Sequence, residues 1–414
     1  MLFVSTSASY LPAGIKDREQ NVLLTKKSLK LKMNLLIRIS RIIVGLVFVF
    51  SGFVKAVDPL GSTYKFIDYF NAFNMSWLEP AALPFSIILS GSEFLIGICL
   101  LLFIQNKLAN WGALIFMGIF TPLTLWLALE NPVQDCGCFG DAIILTNWQT
   151  FYKNIVILVF VIISFIYKNT IKSWMSFKSE WTITFVTALI ITLFSCYNLR
   201  HLPVIDFRPY KTGTYIPDGM IIPEDAPANI YKQDFTLLDT ISGKEITIDS
   251  DEYMNDSTYW MTGTSWTFVS SSDPVLVKAG YVPPIHDFSI TSLYGEDITD
   301  LVLSDPGYTF ILVSWNLKKY DTRFQEKINL LHKEAVADNH KIICLSSVSA
   351  GEIEQFKTDN NITYDFYITD PITLKTIIRA NPGLLILHEG TIISKWNARD
   401  IPDYETISMK YLKR

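Results

Sequence analysis

Leu35–Val57 reads LLIRISRIIVGLVFVFSGFVKAV. Its only charges are Arg38 and Arg41 near one end and Lys55 near the other. A bilayer core needs roughly 20 consecutive apolar residues, so this stretch is predicted to cross a membrane. Its long cationic side chains are expected to snorkel to the two interfaces. Four more stretches meet the same test: Ala81–Ile104, Leu108–Leu129, Trp148–Tyr167 and Trp181–Leu199. The fourth is the weakest, because Lys153 and Asn154 sit near its start. Trp77, Trp126, Trp148, Trp174 and Trp181 fall near segment ends, where an aromatic belt is expected. Gly45, Gly52, Gly91, Gly97, Gly112 and Gly118 suit close helix packing.

The basic flanks set an expected orientation. Lys26, Lys27, Lys30 and Lys32 precede the first span, Lys107 lies between spans two and three, and Lys168, Lys172 and Lys178 lie between spans four and five. The opposite side carries Lys65 alone, and residues 130–150 carry no Lys or Arg. The N-terminus is therefore expected to be cytoplasmic. Five spans then place the rest of the chain outside, in the periplasm of an inner-membrane protein. Half of the 414 residues are hydrophobic, but residues 200–414 read as an ordinary soluble domain. A net charge of −5 gives a nucleic-acid partner no electrostatic support. All five histidines lie outside the apolar runs, so no haem or metal site is expected in the membrane. Residues 1–33 read as a disordered tail or a misassigned start, since Met33 opens a natural-looking N-terminus.

The loop between spans three and four contains Asp135-Cys136-Gly137-Cys138-Phe139-Gly140-Asp141. Two cysteines around one glycine can close a disulfide only in a very tight ring, and Gly137 permits the turn. A strained, accessible disulfide is oxidising and labile. Cys136 and Cys138 are thus candidates for a redox-active pair on the outer face. The alternative is a static staple for the loop. Cys99 and Cys196 lie inside spans and read as buried small hydrophobes, although Cys196, near the outer end of span five, is a candidate resolving thiol. Glu93 lies mid-span, where a carboxyl costs about 3 kcal/mol on insertion scales. It is either a proton-handling or quinone-contacting catalytic group, or a protonated acid bonded to a neighbouring helix.

Phe50-Ser51-Gly52-Phe53-Val54-Lys55-Ala56-Val57-Asp58-Pro59, the pair Ser92-Glu93 and the Asp135–Asp141 loop together resemble the MauE/DoxX-like family over residues 34–168. The resemblance implies a four-helix membrane bundle associated with redox maturation, with its Cys-x-Cys loop on the periplasmic face. In the methylamine-utilisation branch it implies disulfide formation during maturation of methylamine dehydrogenase. The fifth span and the fused C-terminal domain depart from that branch. They are similar to DoxX-family proteins of Bacteroidetes, for which methylamine is not the expected substrate.

Residues 169–200 read as a cytoplasmic loop plus fifth span, and 201–285 as a proline-rich linker with β-hairpins. Asp234–Thr247 and Asp287–Thr299 echo each other, each reading as a hairpin with a glycine turn. From Tyr308 onward strands and helices alternate, resembling a thioredoxin-like α/β domain over 286–414, with Pro382 where that fold carries its cis-proline. The place of the Cys-x-x-Cys reads Trp315-Asn316-Leu317-Lys318-Lys319, without cysteine, and Cys344 falls in a strand. This domain is expected to bind a partner through Pro382 and the 316–319 loop without running dithiol chemistry.

The expectation is a multi-domain chain, an all-α transmembrane bundle followed by an α/β thioredoxin-like domain. It would exchange disulfides with an extracytoplasmic protein, either thioredoxin-like or a disulfide substrate. No cofactor is evident in the sequence, and a quinone is the candidate electron acceptor. The alternatives are a non-enzymatic assembly scaffold with a structural Cys-x-Cys and, resting on Glu93 alone, a small-solute transporter.

Overall fold

The computed structural model describes residues 13–133, 135–278 and 280–412, with side chains from residue 24 onward. Among the described residues, six α-helices form the first half: α1 (Ala13–Val57), α2 (Pro59–Ala72), α3 (Ala82–Leu101), α4 (Asn106–Glu130), α5 (Asn147–Ile166) and α6 (Phe177–Arg200). Among the described residues, five helical segments are long and apolar enough to cross a membrane, and α2 is not one of them. The chain is a multi-pass membrane protein.

Residues 1–12 lie outside the described residues. From Ala13 the chain is already helical and runs unbroken into the first span. The tail expected over 1–33 is therefore, from residue 13, an extension of α1. Leu and Lys alternating through 23–32 are good helix formers, and the span supplies the nucleus from which the helix propagates. At the other end Asp58-Pro59 stops α1 and starts α2. Asp58 caps the new helix by accepting from the Gly61 N–H at 2.9 Å, with proline at the first helical position.

Glycines fix the pairing of α1 with α3. A Cβ on Gly52 would lie 2.5 Å from the Phe94 nitrogen, and one on Gly97 would lie 2.6 Å from the Val49 nitrogen. Gly45 and Gly112 are also tightly faced, by Leu101 and Ile96, whereas Gly91 has only ordinary contact and Gly118 none. Polar side chains tie the other helices, as with Asn154 to Thr124 at 3.1 Å and Asn198 to the Ala56 carbonyl at 3.1 Å. Two cations expected to snorkel do not. Arg41 is fully buried and holds Asn106 (2.6 Å) and the Lys168 carbonyl (3.1 Å), and Lys55 is buried too. Each has acceptors within the bundle, so the interface is not needed to solvate it.

The second half contains β1 (Ile230–Lys232), β2 (Asp234–Asp239), β3 (Glu245–Asp249), β4 (Trp266–Ser271), β5 (Val275–Lys278), β6 (Tyr308–Ser314), β7 (Lys341–Ser346), β8 (Asp365–Ile368), β9 (Gly383–His388) and β10 (Thr391–Asn397). The main sheet has the order β10-β9-β6-β7-β8, with β6, β7 and β8 parallel and β9 antiparallel to both β6 and β10. Every residue of β6 is buried, because each face of the sheet is covered. Tyr308, Phe310 and Leu312 pack with Ile328, Leu331 and Ile407 on one face; Ile311 and Val313 pack with Leu374 and Ile377 on the other. This is the thioredoxin-like arrangement, and the Asn381–Pro382 bond is cis at the expected place.

Two boundaries differ from the sequence reading. Part of the supposed linker belongs to this domain: Tyr210 and Ile216 enter its core, and Gly213, Thr214 and Ile216 bond to the β10 edge. An extended, proline-punctuated chain is excluded from strand interiors but suits an edge. The hairpin expected over 287–299 shrinks to one bridge, Thr291 with Asp297. Phe288 and Ile290 are drawn into the core and Thr291 pairs with Ile368, so pairing with the main sheet wins. The first hairpin forms as β2–β3, with β4 on its free edge.

Candidate functional site

The close approach of α1 and α3 brings Lys55 and Glu93 together. Lys55 Nζ lies 2.7 Å from Glu93 Oε2, with both side chains about nine-tenths buried. Ser51, one turn before Lys55, donates to the same carboxylate oxygen at 2.9 Å. Lys55 Nζ also donates to the Cys138 carbonyl at 2.8 Å, and the Ser51 hydroxyl lies 2.7 Å from that oxygen. Glu93 is thus not isolated: Lys55 faces it, and the pair carries the Cys-x-Cys loop. Its other sequence neighbour, Ser92, bonds back to its own helix at Leu89.

The loop is shaped by its own residues. Asp135 accepts from the Gly137 N–H at 2.8 Å, Gly137 takes φ +66°, and the Gly140 N–H closes on the Gly137 carbonyl at 3.1 Å. From α2, Lys65 pairs with Asp135 at 2.7 Å and Tyr69 donates to the Cys136 carbonyl at 2.8 Å. Asn147, at the start of α5, donates to the Val133 carbonyl at 2.8 Å and secures the base of the loop.

The two sulfurs are 3.0 Å apart as free thiols. Cys136 is buried and Cys138 partly exposed. The hydrogen bond from Cys136, aided by Lys153 and Lys55, overcomes burial and lowers the Cys138 thiol to about 6. The same hydrogen bond, together with burial, raises Cys136 well above the ordinary thiol range. Cys138 is therefore the more acidic thiol of the pair. Lys153, near the start of the fourth span, lies with its ammonium 4.2 Å from the Phe139 ring centre, and its charge helps to lower the Cys138 thiol.

Two cavities flank the loop. The outer one, about 220 Å³, lies between the bundle and the thioredoxin-like domain; Lys65, Gly137, Asp141, Lys375 and Arg379 are among its walls. The inner one, about 290 Å³, lies within the bundle, lined by aromatic and aliphatic side chains and by Cys136, Cys138, Lys55, Glu93 and Lys153. They share Lys55, Ser62, Lys65 and Gly137, so the loop is a partition between a charged space and an apolar one. Cys196 is exposed on α6 and lines neither, and Cys99 faces Thr184.

The outer cavity is held by an interdomain clamp that no sequence motif announced. Arg379 reaches from the thioredoxin-like domain to Asp58 at 2.8 Å and Asp141 at 3.1 Å. Burial opposes ionisation of Asp58, but the Arg379 and Arg208 charges outweigh it and lower its pKa. Trp315 packs edge-on against Tyr64 of α2, with the ring centres 6.2 Å apart, and Lys375 lies over both rings. The fold's usual active-site corner thus faces its own membrane domain. Asn381, beside Pro382, ties to the Asn316 carbonyl at 2.7 Å.

No curated protein matches the chain. Among solved structures, "Crystal Structure of StoA from Bacillus subtilis" is similar at 16% identity, covering 30% of this chain and 93% of that one, with a TM-score of 0.24. Residues 33–167, which hold the bundle through α5 and the Cys-x-Cys loop, match the model of the family described as methylamine utilisation protein MauE.

Proposed function

We propose that this chain is an inner-membrane thiol–disulfide exchange protein, with Cys136 and Cys138 as its redox pair and its thioredoxin-like domain as a non-catalytic wall of the substrate port. The basic flanks of the spans support placing the loop and the C-terminal domain on the periplasmic side. The observation that carries the reading is the asymmetric thiol pair: two sulfurs 3.0 Å apart, Cys136 buried and Cys138 partly exposed, with Lys153 and Lys55 beside them lowering the Cys138 thiol. A stabilised thiolate favours the reduced state, which makes the Cys136–Cys138 disulfide an oxidant. The resemblance of residues 34–168 to a redox-maturation family supports the same assignment.

The exchange is a pair of displacements. A partner thiolate that reaches the loop attacks Cys138 Sγ of the oxidised pair. The S–S bond breaks and Cys136 leaves, taking up a proton as its high proton affinity requires. The partner's second thiolate attacks the partner sulfur of the mixed disulfide and releases Cys138 as a thiolate. One disulfide is lost here and one gained in the partner.

Mass-tag alkylation on membranes tests this. Supplying a reduced dithiol protein should convert the wild-type pair from oxidised to reduced. Cys136→Ser should accumulate a mixed disulfide through Cys138, whereas Cys138→Ser should not. A pair that stays in one state under every condition would make the motif a structural staple and the chain a membrane scaffold, a reading already favoured by the cysteine-free 316–319 loop.

A further inference from the structure

We propose that the inner cavity binds an isoprenoid quinone, which re-oxidises Cys136 and Cys138. This rests on the thiol-exchange reading, because an oxidant that is consumed must be regenerated by a two-electron acceptor.

The placement of the cavity selects the acceptor. Cys136 and Cys138 both line it, and neither lines the charged port. Phe48, Phe66, Phe70 and Phe120 provide flat apolar walls. Ile119 and Phe73, also on its rim, are exposed on the outside of the bundle. The cavity therefore opens laterally, towards where acyl chains would lie, and a hydrophobic ligand can enter without crossing water. Its volume of about 290 Å³ sits at the lower end of small-molecule sites, about 300–1,000 Å³. That suits one ring system, with its prenyl tail left among the lipids.

The polar end distinguishes a quinone from an acyl chain. The three protons of the Lys55 ammonium already have three acceptors: Ser51, Glu93 and the Cys138 carbonyl. Lys153 lines the same cavity and, among the described residues, has no carboxylate partner. A half-buried cation beside a thiolate in an apolar cavity is suited to polarise a carbonyl oxygen and to hold charge on the reduced ring. An acyl chain offers neither group.

The step balances. The Cys138 thiolate and the Cys136 thiol form the S–S bond, releasing two electrons and the Cys136 proton. The quinone accepts both electrons, that proton and a second one from solvent, and its two carbonyls become the hydroxyls of the quinol. Lys153 is assigned to contact a quinone oxygen. Glu93 acts at one remove, positioning the loop through Lys55 and Ser51.

The test uses the full chain, reduced, in lipid nanodiscs without oxygen. Decylubiquinone and menaquinone-1 are added, and quinone absorbance and thiol state are followed together. The expected result is one quinone reduced per thiol pair oxidised, and a photoreactive azidoquinone mapping to peptides of α4 and α5. Leu123→Trp and Leu89→Trp, which fill the cavity from two sides, should slow quinone-linked oxidation by about tenfold or more, equivalent to about 1.4 kcal/mol. Lys153→Met should slow it and move its pH dependence. Exchange with a dithiol protein, read on the same preparations, separates the two proposals. If the pair exchanges with protein but neither quinone oxidises it, or both filled variants react as fast as wild type, the cavity is a lipid-filled void and the quinone site is wrong. If the pair does neither, the exchange reading falls with it.

Discussion

At the residue scale, the reactivity of the loop rests on one hydrogen bond and two cations. Cys138 alkylation by iodoacetamide should rise through a midpoint at about 6 and be nearly flat above neutral pH, because the thiolate is the reacting species. Cys136→Ala removes the largest stabilising contact and should move the midpoint up towards the ordinary thiol value; Lys153→Met should move it less. A midpoint unchanged by Cys136→Ala would show that the sulfur–sulfur contact does not set the thiolate. The Lys55–Glu93 pair makes a second prediction. Removing one partner of a buried pair strands the other, at about 3–5 kcal/mol. Lys55→Met should therefore lower the unfolding midpoint in detergent sharply, while Lys55→Met with Glu93→Leu should recover much of the loss.

At the scale of elements, the site exists because α1 and α3 touch backbone to backbone. Gly52→Ala places a methyl group 2.5 Å from the Phe94 nitrogen, where only a shift of a whole helix relieves it. Overpacking of this kind costs about 1–3 kcal/mol, and it should also separate Lys55 from Glu93. Gly118→Ala meets nothing within 4 Å and should be neutral or slightly stabilising. Equal thermal stability of the two variants would refute this account of the α1–α3 contact. The sequence pattern marked both glycines alike, because a count of small residues carries no information on which face of a helix meets a neighbour. Lys153 shows the same limit: along the chain it marks the start of a span, and in space it lines the cavity that holds both cysteines.

At the scale of the molecule, Arg379 is the joint between bundle and thioredoxin-like domain. Arg379→Ala leaves Asp58 and Asp141 without their cation and should loosen the outer cavity, seen as faster proteolysis in the 201–230 segment with the β6-centred sheet still folded. Acid should act in the same direction. Asp58 has a lowered pKa in the folded chain, so its contribution is complete above the unfolded carboxyl value. It is lost as pH falls through the folded one. Asp141, the other carboxylate on Arg379, is raised by burial and so adds no such loss. Through Asp58, proteolysis of the wild type should accelerate only in strong acid, and a rise already near neutral pH would assign the joint to other groups.

The sequence by itself determined the five apolar spans, because bilayer thickness imposes a length that composition reveals directly. It also determined the strand–helix alternation after Tyr308, because a sheet buried on both faces needs continuous apolar runs. Cys136 and Cys138 stood out by spacing alone. What only the tertiary structure decided is who meets whom. Lys55 turns inward to Glu93 because glycines let two backbones approach, and α2, too short to span the membrane, supplies Lys65, Tyr64 and Tyr69. Arg379, 321 residues beyond Asp58, closes the port. Contacts between residues so far apart follow from packing in three dimensions, and no local periodicity encodes them.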